Sequence, residues 1–189
     1  VITNAAPQTA PAPRERMVHV VQGQYEILND PNAVLSTVLG SCVAACVRDP
    51  LLRIGGMNHF LLPGETNPRN DSLKYGVQAM ELLINGLLQR GAARERLEAK
   101  LFGGARVVEG LSDIGQQNAE FAARFLRTEN IRCVGESLGG DRPRRIRFWP
   151  TTGRVIQLFL DRADPAAVTV ERVRPAPVAP APTGDLELF

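Results

Sequence analysis

Cysteine, histidine and aromatic residues are all scarce in this chain of 189 residues, and each scarcity removes a class of function. The three cysteines, Cys42, Cys46 and Cys133, are an odd number with no CxxC pair, a poor disulfide framework for a secreted domain, so reduced thiols are expected. Only His19 and His59 carry imidazoles, and no His or Cys pair has zinc-ligand spacing, so no metal site is expected. No glycine-rich segment continues into the Lys-Ser/Thr of a phosphate loop or forms GxGxxG, so Gly103-Gly104 and Gly139-Gly140 read as turn or close-packing glycines. Charge of one sign is also lacking: 22 Lys plus Arg against 20 Asp plus Glu leave +2, which supplies no field toward nucleic acid or an anionic membrane. No apolar run approaches the roughly 20 residues of a spanning helix. Residues 1–15 contain no apolar core of a signal peptide, and the expected compartment is the cytoplasm.

What is present is the composition of one globular domain, 44% hydrophobic and 22% charged, between two Pro/Ala-rich ends. Residues 1–16 read as a loose arm and residues 162–189 as a tail, because neither buries enough apolar surface to offset the entropy of ordering. The domain spans residues 17–161. Short strands are expected at 17–22 and 24–28 around Gly23. The apolar run 34–47 is broken at Gly40-Ser41-Cys42 into a strand and a buried segment whose type periodicity leaves open. Residues 53–62 read as a strand and 65–71 as a polar loop. Helices are expected at 73–90, with Leu73, Val77, Met80, Leu83, Ile84, Leu87 and Leu88 on one face, and at 114–129, with Phe121, Phe125 and Leu126 inward. Asp71 or Ser72 caps the first helix and Gly91 stops it, while Asp113 stands near the start of the second. Strands at 99–102, 106–108, 131–136, 144–149 and 155–160 complete the pattern, the last three joined by hairpin-type turns at Gly139-Gly140-Asp141 and Thr151-Thr152-Gly153. The fold class expected is α+β, a layered sandwich of packed β-sheets with two main flanking helices.

Few side chains here can do chemistry. Cys46 and Cys133 lie on apolar segments, where a free cysteine behaves as a small core hydrophobe. Cys42 follows Gly40-Ser41 at a break, where a tight backbone lets successive N–H groups converge on one point, as a nucleophile with an oxyanion hole requires. A core reading of Cys42 stands beside this one. His59, inside Gly55-Gly56-Met57-Asn58-His59-Phe60, is a polar ring in a segment that otherwise reads as buried. It is either a satisfied core histidine or, if its strand lies beside Cys42, the base that holds a thiolate. Ser36, Thr37 and Asn58 are the candidates for a third, orienting group. Alternation along a strand points Asn58 away from His59, which favours the hydroxyls. The run Arg142, Arg144, Arg145, Arg147 reads as a solvated strand face or a dock for an acidic protein. With only Phe148 and Trp149 nearby it lacks the stacking surface of a nucleic-acid site.

Seven blocks in order, Leu39-Gly40-Ser41-Cys42-Val43-Ala44, Gly55-Gly56-Met57-Asn58-His59-Phe60-Leu61-Leu62-Pro63, Tyr75-Gly76, Ala99-Lys100-Leu101-Phe102-Gly103-Gly104-Ala105, Ile114-Gly115 with Asn118, Leu138-Gly139-Gly140, and Arg144-Arg145 leading to Phe148 and Thr152-Gly153, resemble the chemoreceptor glutamine deamidase family, CheD. The resemblance covers about residues 17–160. It implies a cofactor-free bacterial cytoplasmic enzyme that converts receptor glutamines to glutamates, and leaves hydrolysis of glutamate methyl esters there as an open second activity. Its fold is similar to that of cysteine-dependent deamidase toxins. It places the family nucleophile on Cys42, the base on His59 and the orienting hydroxyl on Ser36, with Thr37 its neighbour. The oxyanion donors then fall on backbone N–H groups from Ser41 to Val43. The partners implied are the cytoplasmic domains of chemoreceptors as substrate and a CheC-type phosphatase. A monomer is expected. A binding module acting through receptor or CheC is the alternative reading.

Overall fold

The central run of the sequence folds so that both of its faces are covered. In the computed structural model, which describes residues 15–62, 69–106 and 114–161 (side chains of 69–72 excepted), the apolar run becomes two consecutive strands of different sheets, β3 (Ala33–Leu39) and β4 (Val43–Asp49). Along β4, Val43, Ala45 and Val47 face one hydrophobic layer while Cys42, Ala44 and Cys46 face another. Burial on both faces replaces the polar alternation of a surface strand, and for that reason periodicity alone left the segment's type open.

Two sheets result. The four-stranded sheet has the order β1-β3-β8-β9, with β1 (Arg16–His19) parallel to β3, and β8 (Arg144–Phe148) and β9 (Val155–Phe159) antiparallel beyond it. The five-stranded sheet has the order β2-β5-β4-β6-β7, formed by β2 (Tyr25–Leu28), β5 (Ile54–Asn58), β4, β6 (Glu98–Gly103) and β7 (Arg132–Leu138). Only its β6–β7 pair is parallel, and α2 (Ile114–Thr128) lies between those two strands in the chain, as a parallel crossover requires. One core, with Leu35, Leu39, Met57 and Phe148, fills the space between the sheets. The other, with Met80, Leu83, Leu87, Phe121 and Leu126, packs α1 (Arg69–Gln89) and α2 on the far face of the five-stranded sheet. The expected α+β architecture of packed sheets and two helices is what the chain adopts.

Several local expectations change. Helix α1 begins at Arg69, so Asp71 and Ser72 sit inside its first turn and not at its cap, and Leu73 is exposed. Its end is as read. Gly91, at φ +90°, donates to Leu88 O and Ala92 donates to Leu87 O, the paired bonds of a Schellman motif. Asn130, at φ +55°, closes α2 in the same way, with Ile131 N on Leu126 O. Residues 151–153 do form the β8–β9 hairpin. Gly139-Gly140-Asp141 does not form a hairpin, because β7 and β8 belong to different sheets and the glycines carry the chain between layers. Of the expected strand at 106–108, Arg106 is not in a strand. Residues 107 and 108, the arm up to residue 14, the tail from 162, most of the polar loop at 65–71 and Asp113 lie outside the described residues. Among the described residues no helix is long and apolar enough to cross a membrane.

The arginine run is not a uniform solvated face. Arg144 is buried, where its guanidinium donates to Ser137 O, Ser137 Oγ and Gly139 O and lies 5.2 Å from the Phe159 ring centre. Burial pulls its pKa below the usual arginine range. Arg142 and Arg147 are exposed, so the run splits into a structural member and a solvated remainder.

Candidate active site

The break at Gly40-Ser41-Cys42 is held by its carbonyls. Ala105 N donates to Gly40 O at 2.9 Å, the Asn118 side-chain amide to Ser41 O at 3.1 Å, and Gly104 N to Cys42 O at 2.8 Å. Asn118 is fully buried and also accepts from Leu62 N at 2.7 Å, so one α2 side chain ties the cysteine loop to the segment that follows His59. Gly103 has φ +111°, and a Cβ there would stand 2.1 Å from Cys42 O. The approach therefore requires glycine.

His59 reaches the same layer from the neighbouring chain segment. Val43 and Phe60 exchange both backbone hydrogen bonds at 2.9 Å, and the register Cys46↔Met57 continues to that pair. This sets His59 opposite Ala44, one diagonal step from Cys42 on the inter-sheet face. Cys42 is 1% exposed and His59 4%. The imidazole Nδ1 lies 2.9 Å from Thr37 Oγ1, and Thr37 Oγ1 donates to Val20 O at 2.8 Å. A hydroxyl has one proton, so with that proton on Val20 O the ring must donate Nδ1–H to Thr37. The lone pair then lies on Nε2, a buried atom with no hydrogen-bond partner among the described residues. Desolvation lowers the His59 pKa to about 4 against a smaller raising effect of Val20 O, so the ring is neutral at pH 7.

The expected site residues therefore separate. Cys42, His59 and Thr37 share the inter-sheet face. Ser36 is corrected: adjacent strand residues face opposite ways, and its hydroxyl donates to Ile146 O at 3.0 Å within the four-stranded sheet. Val43 is corrected as an oxyanion donor because its N–H is taken by Phe60 O. The Ser41 N–H makes no backbone hydrogen bond among the described residues. Asn58 points away from His59, as alternation requires, accepting from Ala45 N at 2.9 Å and donating to Ala79 O at 3.0 Å. Cys46 is a core thiol that burial pushes far up. Cys133 is exposed, not buried as expected of a core hydrophobe.

Two neighbours escaped sequence reasoning. Gln22 Oε1 accepts from Cys42 Sγ at 3.2 Å, a pairing across 20 residues for which the sequence offers only the turn signal of Gly23. Tyr75, half-buried on α1 and packed against the helix-side core, has its pKa raised by burial and then by the charge of Cys42. Among the described residues no group of three or more His, Cys, Asp or Glu side chains could hold a metal ion.

Residues 61–158 match the family described as CheD chemotactic sensory transduction. The chain is 56% identical over 178 residues to a probable chemoreceptor glutamine deamidase CheD of Rhizobium leguminosarum bv. trifolii, covering 92% of this chain and 96% of the relative. It is 54% identical over 174 residues to the protein of the same description from Caulobacter vibrioides, covering 91% and 92%. A crystal structure of Neisseria meningitidis protein NMB0706 matches at 9% identity with a TM-score of 0.46, over 67% of this chain and 64% of that one.

Proposed function

Since this chain belongs to the CheD family, we propose that it is a cytoplasmic protein-glutamine deamidase that converts chemoreceptor glutamines to glutamates, with Cys42 as nucleophile and His59 as base. The observation that carries the reading is the Thr37–His59 hydrogen bond, which fixes the imidazole with its Nε2 lone pair unspent on the face that bears Cys42. A histidine merely filling a core would have both ring nitrogens satisfied, whereas Nε2 here is buried without a partner among the described residues.

In this reading Nε2 takes the thiol proton, and the thiolate adds to the side-chain carbonyl carbon of the substrate glutamine. The Ser41 N–H donates to the resulting oxyanion. The imidazolium returns its proton to the departing nitrogen, so the C–N bond breaks, ammonia leaves and a thioester remains. Water, deprotonated by the same nitrogen, cleaves the thioester and restores the thiol. The net change is carboxamide plus water to carboxylate plus ammonium, with no redox step. Each turnover replaces a neutral receptor side chain with an anion.

The test is intact and peptide mass spectrometry of a receptor cytoplasmic fragment incubated with the protein. Expected is a gain of about one dalton at defined glutamines, absent with Cys42→Ala and His59→Ala, a loss of at least about a hundredfold. Absence of any gain on a fragment that a related deamidase does modify would overturn the enzyme reading in favour of a binding module acting through receptor or a CheC-type partner.

A further inference from the structure

The thiol that must meet a substrate carboxamide already has one against it. Gln22 Oε1 accepts from Cys42 Sγ at 3.2 Å, and two carboxamides cannot both place a carbonyl oxygen there. Gln22 belongs to the turn at residues 21–24 between β1 and β2, closed by Gln24 N on Val21 O at 3.1 Å with Gly23 at φ +84°. That turn is fastened to the base: Gly23 N donates to His59 O at 2.7 Å and His59 N to Gln24 O at 3.0 Å. Its backbone is thus fixed, while Val21, Gly23 and Gln24 are exposed and Gln22 alone of the four is half-buried. The Gln22 side chain stands at the boundary between solvent and a cysteine 1% exposed, with rotatable bonds that carry it outward without moving the turn.

We propose that Gln22 is an internal stand-in for the substrate glutamine: its carboxamide occupies the position at Cys42 and must swing out before a receptor side chain enters. The inference rests on the deamidase reading for its substrate, but the occupancy of the thiol is independent of it. Gln22 is a specificity-determining residue, because an entering group displaces it best by offering the thiol an equivalent carbonyl. A closed state of this kind lowers apparent affinity by the fraction of open molecules and leaves the chemical step unaltered.

Two variants separate the possibilities, Gln22→Ala, which removes bulk and carboxamide, and Gln22→Met, which keeps the length and removes only the carboxamide. The first readout is the rate of Cys42 alkylation by iodoacetamide, followed by tandem mass spectrometry with exposed Cys133 as internal reference. Loss of one weak hydrogen bond is expected to accelerate Cys42 about three- to tenfold in both variants with Cys133 unchanged. The second readout is deamidation of the receptor fragment, where KM is expected to fall by a similar factor at unchanged kcat. Unchanged or slower alkylation in both variants would overturn the proposal. So would a loss of kcat at constant KM, which would make Gln22 a transition-state donor instead. Accelerated alkylation in a protein that deamidates nothing would leave the stand-in intact and refute the deamidase, so the two failures are distinguishable.

Discussion

Thr37 and Ser36 are adjacent hydroxyls with opposite fates, and the difference is measurable. Thr37 Oγ1 relays between the His59 ring and Val20 O, whereas Ser36 Oγ serves the Ile146 carbonyl. Thr37→Val keeps the shape and removes the acceptor for Nδ1–H, so the ring loses its fixed tautomer. We expect kcat to fall about tenfold, the worth of one buried hydrogen bond, with KM little changed. Ser36→Ala should leave kcat within about twofold while lowering stability by about 1 kcal/mol, since a buried hydroxyl-to-carbonyl hydrogen bond is lost. Steady-state kinetics on the two variants checks the pair, and equal losses of kcat would refute the assignment. The proton inventory adds a pH signature. The base works only when neutral, and burial lowers its pKa to about 4. On that account kcat/KM stays level as pH falls from 7 to about 5 and drops only as it approaches 4, instead of falling around 6.5 as an exposed histidine would dictate.

At the scale of elements, the cysteine loop depends on what passes beneath it. Gly103 ends β6 with φ +111° under the Cys42 carbonyl, and Gly104 returns a hydrogen bond to that carbonyl. Gly103→Ala combines a disfavoured backbone with a 2.1 Å encounter. It should lower stability by about 3 kcal/mol or more and displace Cys42. Gly139→Ala is the control: φ is +76° but none of the described residues lies within 4 Å of the added carbon, so backbone strain of about 1 kcal/mol applies. Urea midpoints of the two variants compare them directly, and similar losses would remove the packing argument. These glycines also mark where sequence reading succeeds and stops. A Gly-Gly pair announces a turn or a close approach, but not that the object approached is a carbonyl some sixty positions earlier. Helices 73–90 and 114–129 were legible because one buried face repeats at three- and four-residue steps. The 139–141 turn was legible as a reversal, yet turn chemistry does not say which sheet receives the next strand. Cys42 and His59 were legible as rare reactive side chains. Gln22 was not, because its role exists only through the layer it shares with them.

Across the whole molecule, two buried groups, His59 and Asp49, link stability to acid pH at different places, and their pH windows do not overlap. His59 lies between the sheets, and its folded pKa of about 4 is below the unfolded 6.5. Between those values the unfolded chain binds the proton that the folded chain refuses, so stability declines as pH falls from 6.5 to 4, by about 3 kcal/mol in all. Asp49 sits at the end of β4, fully buried, accepting from Leu51 N, Leu52 N and Ala93 N and paired with Arg96 at 2.6 Å. Burial alone would raise its carboxyl, but the Arg96 guanidinium and these N–H groups outweigh burial and hold it at about 2 against 3.8. Its contribution is therefore intact above 3.8 and is lost as pH falls from there to 2, about 2 kcal/mol in all. Acid should loosen the protein first at the candidate site and only later where Asp49 joins β4 to the connection between α1 and β6. Urea denaturation at pH 7.5, 5.5, 4 and 2.5 reads both steps. His59→Gln should flatten the decline above pH 4 while leaving the lower one. Asp49→Asn should lower stability at neutral pH and flatten the decline below 4. An unchanged upper slope in His59→Gln would mean that another group carries the first proton, and the neutral, buried imidazole would have to be abandoned together with the base it supplies.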